Sequence, residues 1–425
     1  MSKEKLIPEL RFPEFEGDGE WVEDDIGTLF KFKQGVQVPV SNQFPEQGDD
    51  MVRFIRIIDI TSNNEPPRYI QHPGDSHIIS KDDLFMIRYG TPGLISIGFE
   101  GVIANNLFRL IWKSEKRNQP KFWFYAFQRL ESFIYNLSSS SSMPAISFST
   151  LEGLKIGFPP TIEEQQKIAS CLSSLDELLA AHKDKLDALK DHKKGLLQNL
   201  FPQEGETVPK VRFPEFEDDG EWVEKKLIDT TDKKVKWSFT GGPFGSNLKA
   251  NDYTTEGIRI IQLQNIGDGM FNDDNKIYTS IEKADELLSC NIYAGDIIIS
   301  KMGDPVGRAC IIPNNLERCV MASDGIRLVV DENKFSKYFI YSLLNSKRIR
   351  KTIQSKSTGS TRKRIGLNPL RETELIVPKD LKEQQKIASC LSAVDELITA
   401  QQEKIDELQQ HKKGMMQGLF PKIES

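Results

Sequence analysis

Residues 333–371 contain no Asp or Glu, yet carry Lys334, Lys337, Lys347, Arg348, Arg350, Lys351, Lys356, Arg362, Lys363, Arg364 and Arg371. In a chain of net charge −6 such segregation of cations is informative. The centre of the segment, KSTGSTRKR, sets Lys356, Ser357, Thr358, Ser360, Thr361, Arg362, Lys363 and Arg364 around one glycine. Hydroxyls and backbone N–H groups bond phosphate oxygens, and arginine can engage a guanine edge with two donors. The segment is therefore a candidate for nucleic-acid contact, with a solvated cationic loop as the plain alternative. Earlier in the chain SSSSSMPAIS offers Ser139, Ser140, Ser141 and Ser142 without cations, so contacts there would depend less on salt. Arg53, Arg56 and Arg88 are that region's candidates for phosphate. GGPFGSN contributes Gly245, Ser246 and Asn247, small enough for close backbone approach, with an ordinary turn as the alternative. Gln262, Gln264 and Asn265 follow an expected strand and carry the donor–acceptor pattern of an adenine reader. Arg56 and Arg259 fall at equivalent places in FIRIIDI and GIRIIQL, where a structural role is the alternative.

Catalytic patterns are missing. There is neither G-x-x-x-x-G-K-[ST] nor G-x-G-x-x-G. NNEPPRY at 63–69 has the ingredients of an adenine-methyltransferase box, but Glu65 and Arg68 break its compact turn. The five histidines form no metal or nucleophile pattern, and the five cysteines have neither CxxC nor CxxH spacing. Scattered, odd-numbered cysteines fit a reducing, cytoplasmic setting. No apolar run is long enough to span a bilayer, and the first residues have no signal-peptide core.

The 425 residues exceed one ordinary domain of roughly 100–200 residues. Their organisation is a repeat. PELRFPEFEGDGEWVE at 8–23 recurs as PKVRFPEFEDDGEWVE at 209–224, an offset of 201. Residues 164–202 recur at 383–421, an offset of 219, so the second half holds 18 extra residues between its repeated blocks. The interiors differ, with faint echoes: GTPG (90–93) and GDPVG (303–307), ANNLFRLI and ASDGIRLV, SSSSSMPAIS and STGSTRKRIG. Their short β-branched runs, Gly/Pro turns and interspersed helical patterns predict a mixed α/β domain in each half.

The second repeated block predicts a long helix. Its apolar positions step by four and three: Ile168, Leu172, Leu175, Leu179, Leu186 and Leu189 in one copy, and Ile387, Leu391, Val394, Ile398, Ile405 and Leu408 in the other. That is a coiled-coil seam. It is interrupted at His182 and Lys193, and correspondingly at Gln401 and Lys412, where polar groups can set register. Thr161 and Glu164 have capping-box spacing, and LFP ends both copies. About forty residues make a rod of roughly 60 Å. Two equivalent helices in one chain most simply pair with each other, and a pseudo-two-fold axis crossing them at right angles would make them antiparallel. The N-terminal flank would then pack at the end of the second helix, as the second flank follows the first.

The RFPEF…W flanks, the EQQKIASCL…DEL…HKKG…LFP helices and two divergent interiors together resemble the specificity subunit of type I restriction–modification systems, over essentially the whole chain. PFGS and STGSTRKRIG resemble that family's recognition segments, whereas the first domain has KQGVQVPVS in place of the former. The implied fold is α/β. Two mixed α/β target recognition domains are separated by two long helices forming an antiparallel coiled coil, with a pseudo-two-fold internal repeat. The expected bounds are 1–160, 161–202, 203–379 and 380–425. The resemblance also implies a non-catalytic chain that binds no cofactor or metal itself. Each domain would read half of a bipartite, asymmetric site in double-stranded DNA. The helices would set the spacer and dock two copies of the methyltransferase subunit, which uses S-adenosylmethionine on a flipped adenine. Restriction/translocase subunits using ATP and Mg would join for cleavage. The rival readings are a coiled-coil adaptor with two protein-binding heads and a free-standing methyltransferase.

Overall fold

The strands form where β-branched and aromatic residues cluster, and the most apolar of them are covered on both faces. The computed structural model describes residues 6–62, 65–114, 119–138, 143–359 and 362–422. The chain divides into two units, Met1–Lys183 with Glu403–Ser425, and Asp184–Gln402. The units therefore cut across both long helices, so the C-terminal segment belongs with the first α/β domain.

In the first unit, β1 (Val22–Asp25) pairs with β10 (Lys155–Phe158). An antiparallel sheet joins β2 (Phe30–Gln34), β9 (Leu107–Trp112), β6 (Leu84–Ile87) and β7 (Ile95–Ser96) in that order. A second sheet orders β4 (Arg68–Gln71), β3 (Met51–Ile55), β8 (Gly101–Ile103) and β5 (Ile78–Ile79), with β3 and β8 parallel. The short helices are α1 (Ile26–Leu29), α2 (Ile57–Thr61) and α4 (Phe148–Glu152). The longer α3 (Pro120–Asn136) buries Phe122, Trp123, Phe127 and Ile134 against the first sheet, with Phe30 and Trp112 meeting Trp123 edge-on.

The second unit repeats this topology. β11 (Val223–Lys226) pairs with β21 (Glu374–Val377). The antiparallel sheet now orders β12 (Phe239–Gly241), β20 (Gly325–Leu328), β17 (Ile297–Ser300) and β18 (Ala309–Ile311). The second sheet orders β13 (Tyr253–Thr254), β15 (Ile277–Thr279), β14 (Ile258–Ile261), β19 (Arg318–Met321) and β16 (Asn291–Tyr293), with β14 and β19 parallel. β13 pairs with β15 as Phe44 bridges Tyr69 of β4 in the first unit. The helices are α6 (Ile281–Glu286), α7 (Lys337–Leu344), α8 (Lys347–Ser355) and α9 (Leu367–Arg371). Cys310 and Cys319 are packed into this unit, where burial pushes each thiol up to about 12. They are packing groups, since only the thiolate is nucleophilic.

The two 38-residue helices, α5 (Ile162–Asn199) and α10 (Leu381–Gly418), bear out the heptad reading. Ile168, Leu172, Leu179, Leu186, Ile387, Leu391, Val394, Ile405 and Leu408 are buried, and Leu175, Leu189 and Ile398 are half-buried. In the first unit the start of α5 meets the end of α10: Ile168 and Leu172 share a core with Leu419 and Phe420. In the second, Leu196, Leu197 and Leu200 share a core with Ile387 and Leu391. The helices thus run antiparallel in each unit. The seam lysines have specific partners. Lys412 reaches Asp176 at 2.5 Å and Lys193 reaches Asp395 at 2.6 Å. Each acceptor also takes a hydroxyl from the α/β domain of its own unit, Tyr125 for Asp176 and Tyr338 for Asp395.

The flanks close each unit as the repeat predicts. The Leu10 N–H donates to the Gly418 carbonyl at 2.8 Å, and Trp21 packs edge-on to Phe420. A Cβ on Gly418 would sit 2.5 Å from the Leu10 Cδ1, so any larger residue there would have to push the leucine side chain aside. In the second unit the Val211 N–H donates to the Asn199 carbonyl at 3.0 Å. Arg11 places Nε and Nη2 on Glu164 at 2.9 and 2.8 Å, and the Trp21 indole N–H joins them at 3.3 Å. Arg212, Glu383 and Trp222 repeat the arrangement at 2.8, 2.8 and 3.1 Å. Both glutamates are 1 % exposed. Glu164, expected as a cap partner of Thr161, instead anchors the flank.

Candidate nucleic-acid interface

The site is built from one end of the antiparallel sheet in each unit. In the second unit the strand order brings four chain segments to the same rim. They are 242–247 after β12, 301–308 between β17 and β18, 322–324 before β20, and the basic loop after α8. Backbone hydrogen bonds fix them: Gly242 to Gly325 at 2.9 Å, Lys301 to Asp324 at 2.6 Å, Gly303 to Lys363 at 3.1 Å and Ile365 to Lys301 at 2.9 Å. The first unit repeats the set. Gly35 bonds Leu107 at 2.9 Å, Arg88 bonds Asn106 at 2.9 Å, Gly90 bonds Pro144 at 2.9 Å and Ile146 bonds Arg88 at 3.2 Å. The GTPG/GDPVG and SSSSSMPAIS/STGSTRKRIG echoes are therefore real equivalences.

This frame also reveals an equivalence the sequence hides. Gly35 and Gly242 both lie against an alanine carbonyl: an added Cβ would be 2.2 Å from Ala104 O and 1.8 Å from Ala322 O. KQGVQVPVS is thus the structural counterpart of the GGPFGSN loop, although the two share little sequence beyond that glycine.

One expected equivalence is corrected. The Ile55 carbonyl accepts from Ala104 N as the Ile261 carbonyl accepts from Ala322 N, both near 2.9 Å. The partner of Arg259 is then Arg53, three residues before Arg56, and Arg56 matches Gln262. The local repetition of isoleucine made the shifted alignment look equally good. Arg53 is half-buried beside the Phe99 ring at 5.3 Å, and Arg259 is 4 % exposed and bound to Asp273 at 2.8 Å. Both sit inside strand pairs. Arg56 donates to Asp59 at 2.9 Å and to the Pro66 carbonyl at 3.1 Å, so its guanidinium closes the α2 turn.

The remaining expected residues separate clearly. Arg88 lies on the first rim, 4.3 Å over the Phe148 ring, and donates to Gln34 Oε1 at 2.6 Å. Gly245, Ser246 and Asn247 are exposed on the second rim; Gln264, in the turn after β14, is exposed and Gln262 is half-buried. Gln264 donates to Gln262 Oε1 at 3.1 Å, which also accepts from Asn275 at 3.0 Å. Asn265 is corrected from reader to scaffold. It is 1 % exposed, donates to the Asn272 and Asn275 carbonyls at 2.9 and 3.0 Å, and accepts from Gln262 N. Ser139, Ser140, Ser141, Ser142, Ser360 and Thr361 lie outside the described residues.

The acid-free segment is less cationic in space than in sequence. Arg350 binds Asp268, Lys351 binds Glu204 at 2.7 Å, Lys337 binds Glu332 at 3.0 Å and Lys334 binds Asp331 at 3.1 Å. Burial lowers the Arg350 pKa, opposed by Asp268. Arg348 donates to the carbonyls of Pro202, Gln203 and Glu206 at 3.3, 3.0 and 3.1 Å, and Arg371 to that of Phe239 at 3.1 Å. Lys356 caps the Glu372 carbonyl at 3.0 Å and Ser357 the Ile353 carbonyl at 2.6 Å. Thr358 and Arg364 pair through their backbones at 2.9 and 2.8 Å. Arg364 lies 3.4 Å from Asp324 with its side chain 54 % exposed. Among the described residues neither Arg362 nor Lys363 makes an ion pair, and both stand on the rim. Lys301 and Arg308, not singled out in the sequence, also belong to the 301–308 rim segment. Among the described residues no His/Cys/Asp/Glu cluster could hold a metal. No helix among them is long and apolar enough to cross a membrane.

Comparison with known proteins agrees with this architecture. The family described as "Type I restriction modification DNA specificity domain" matches residues 19–191 and 221–410. The MjaVIII type I restriction enzyme specificity subunit of Methanocaldococcus jannaschii is 22 % identical over 420 residues, covering 96 % of this chain and 92 % of that protein. The MjaX specificity subunit of the same organism, a putative one, is 25 % identical over 72 % of this chain and 68 % of its own length. A crystal structure of a type I restriction–modification S subunit from M. genitalium superposes with a TM-score of 0.62 at 17 % identity. It covers 99 % of this chain and all of that one.

Proposed function

Because the chain belongs to the type I restriction–modification DNA specificity family, we propose that each of its two rims reads one half of a bipartite, asymmetric duplex site. The observation that carries this is the repeated rim. The same backbone bonds hold four segments in both units, while the side chains displayed on them differ. A constant scaffold with variable display is what two dissimilar half-sites require, since base edges specify and scaffold contacts only position. The antiparallel helices set the interval between half-sites. The duplicated flanks and helix faces offer two matching surfaces to two copies of a methyltransferase subunit. The chemistry lies with the partners: S-adenosylmethionine with the methyltransferase, which takes adenine out of the stack, and ATP with Mg in a restriction/translocase subunit. This chain is the non-catalytic reader, working in the cytoplasm.

Mapping methylated adenines genome-wide with and without this gene tests the reading. A two-part motif with a fixed gap is expected to vanish on deletion. An unchanged methylome overturns the proposal.

A further inference from the structure

The four most exposed large apolar side chains among the described residues are Phe244 (84 %), Val40 (83 %), Met143 (64 %) and Met270 (62 %). Single exposed apolar residues are ordinary on a protein surface. Their placement here is not. Phe244 and Val40 occupy the same loop of the two rims, the one following the close-approach glycines Gly242 and Gly35. Met143 precedes Pro144 on the first rim. Met270 stands on the loop leaving β14, whose Ile261 carbonyl binds Ala322 N.

The loops hold these tips in place. Pro243 and Leu248 are buried on either side of Phe244, and the Asn247 N–H closes a turn on the Phe244 carbonyl at 2.8 Å. In the first unit the Gln43 N–H closes on the Val40 carbonyl at 3.1 Å, and its side chain donates to the Val38 carbonyl at 2.9 Å. A protein partner would call for a contiguous apolar patch. Phe244 is followed instead by exposed glycine, serine and asparagine, on a rim that also carries Arg362 and Lys363. That mixture suits a polyanion that presents isolated apolar groups. In a duplex the apolar group on the major-groove edge is the thymine C5-methyl.

We infer that Phe244 and Val40 are specificity-determining residues, each packing against a thymine methyl in the half-site read by its own unit. The inference rests on the DNA-reading function proposed above. It predicts that each half-site contains a thymine whose methyl is read.

The test uses the full-length chain and duplexes carrying the motif found by methylome mapping, with thymines replaced one at a time by deoxyuridine, which removes only the methyl. In the half-site of the second unit, one replacement is expected to weaken wild-type binding about fourfold, corresponding to one buried methyl at ~0.8 kcal/mol. Phe244→Ala should bind that duplex and its parent equally, and Phe244→Leu should restore the difference. Val40→Ala should do the same in the other half-site. Phe244 is solvent-exposed, so its substitution leaves the core intact. Indifference of the wild type to every replacement overturns the inference, as does sensitivity that persists in Phe244→Ala. A uniform loss with Phe244→Ala on all sequences, the behaviour of a stacking wedge, also overturns it. A chain showing no preference for the motif duplex sinks the DNA-reading function itself, whereas motif preference without methyl coupling sinks this inference alone.

Discussion

Substituting Arg11 by Met should loosen the first unit far more than the loss of a surface arginine would. Glu164 is 1 % exposed and receives two N–H groups from Arg11, whose side chain is itself 7 % exposed. Those hydrogen bonds raise the Arg11 pKa, so the guanidinium keeps its proton. Without Arg11 the carboxylate keeps only the Trp21 indole N–H at 3.3 Å. An uncompensated buried charge costs about 3–5 kcal/mol, whereas replacing both partners by apolar groups is often nearly neutral. Arg11→Met should therefore be strongly destabilising, and Arg11→Met with Glu164→Met should recover most of the loss. Hydrogen exchange across β1 and β10, adjacent to the latch, reads this locally. At about 1.4 kcal/mol per factor of ten, protection in the single variant should fall by roughly two to four orders of magnitude. The β11–β21 pair, served by the Arg212–Glu383 latch, is the internal control. A fall of less than tenfold in Arg11→Met, or a double variant as weak as the single, would refute the reasoning.

The seam lysines offer a second test. Lys412→Met should cost about 1 kcal/mol, because Asp176 is 39 % exposed and water screens the pair. A double-mutant cycle with Asp176→Asn should recover most of that as coupling; independent effects would contradict a pairing role. On the second rim, Arg362→Ala and Lys363→Ala should each reduce the salt dependence of duplex binding by about 0.9 in the log–log slope. Arg348→Ala should leave that slope unchanged, since its guanidinium is held by backbone carbonyls. Equal slopes for all three variants would show that the rim cations do not meet phosphate.

The frame of this protein was readable from the residues because its signals are local. The four-three spacing, the LFP ends and the duplicated flanks each fix structure within a few turns of chain. The duplication also required that whatever the first flank touches, the second touches in kind, which foretold the Leu10–Gly418 closure. The amino-acid order did not reveal why Glu164 and Glu383 recur, because their partners Arg11 and Arg212 lie more than 150 residues away. The same limit applies to the display surfaces. A run of cations without neighbouring acids looks exposed until Asp268, Glu204 and three backbone carbonyls arrive from elsewhere in the chain and bind Arg350, Lys351 and Arg348. Alignment of two repeating isoleucine strands cannot choose between registers three residues apart, whereas the Ile55–Ala104 and Ile261–Ala322 hydrogen bonds can. The sequence by itself determined the repeat, the helices and the kind of surface to look for. Tertiary structure decided which side chains stand on that surface, because charge neutralisation and burial depend on neighbours in space.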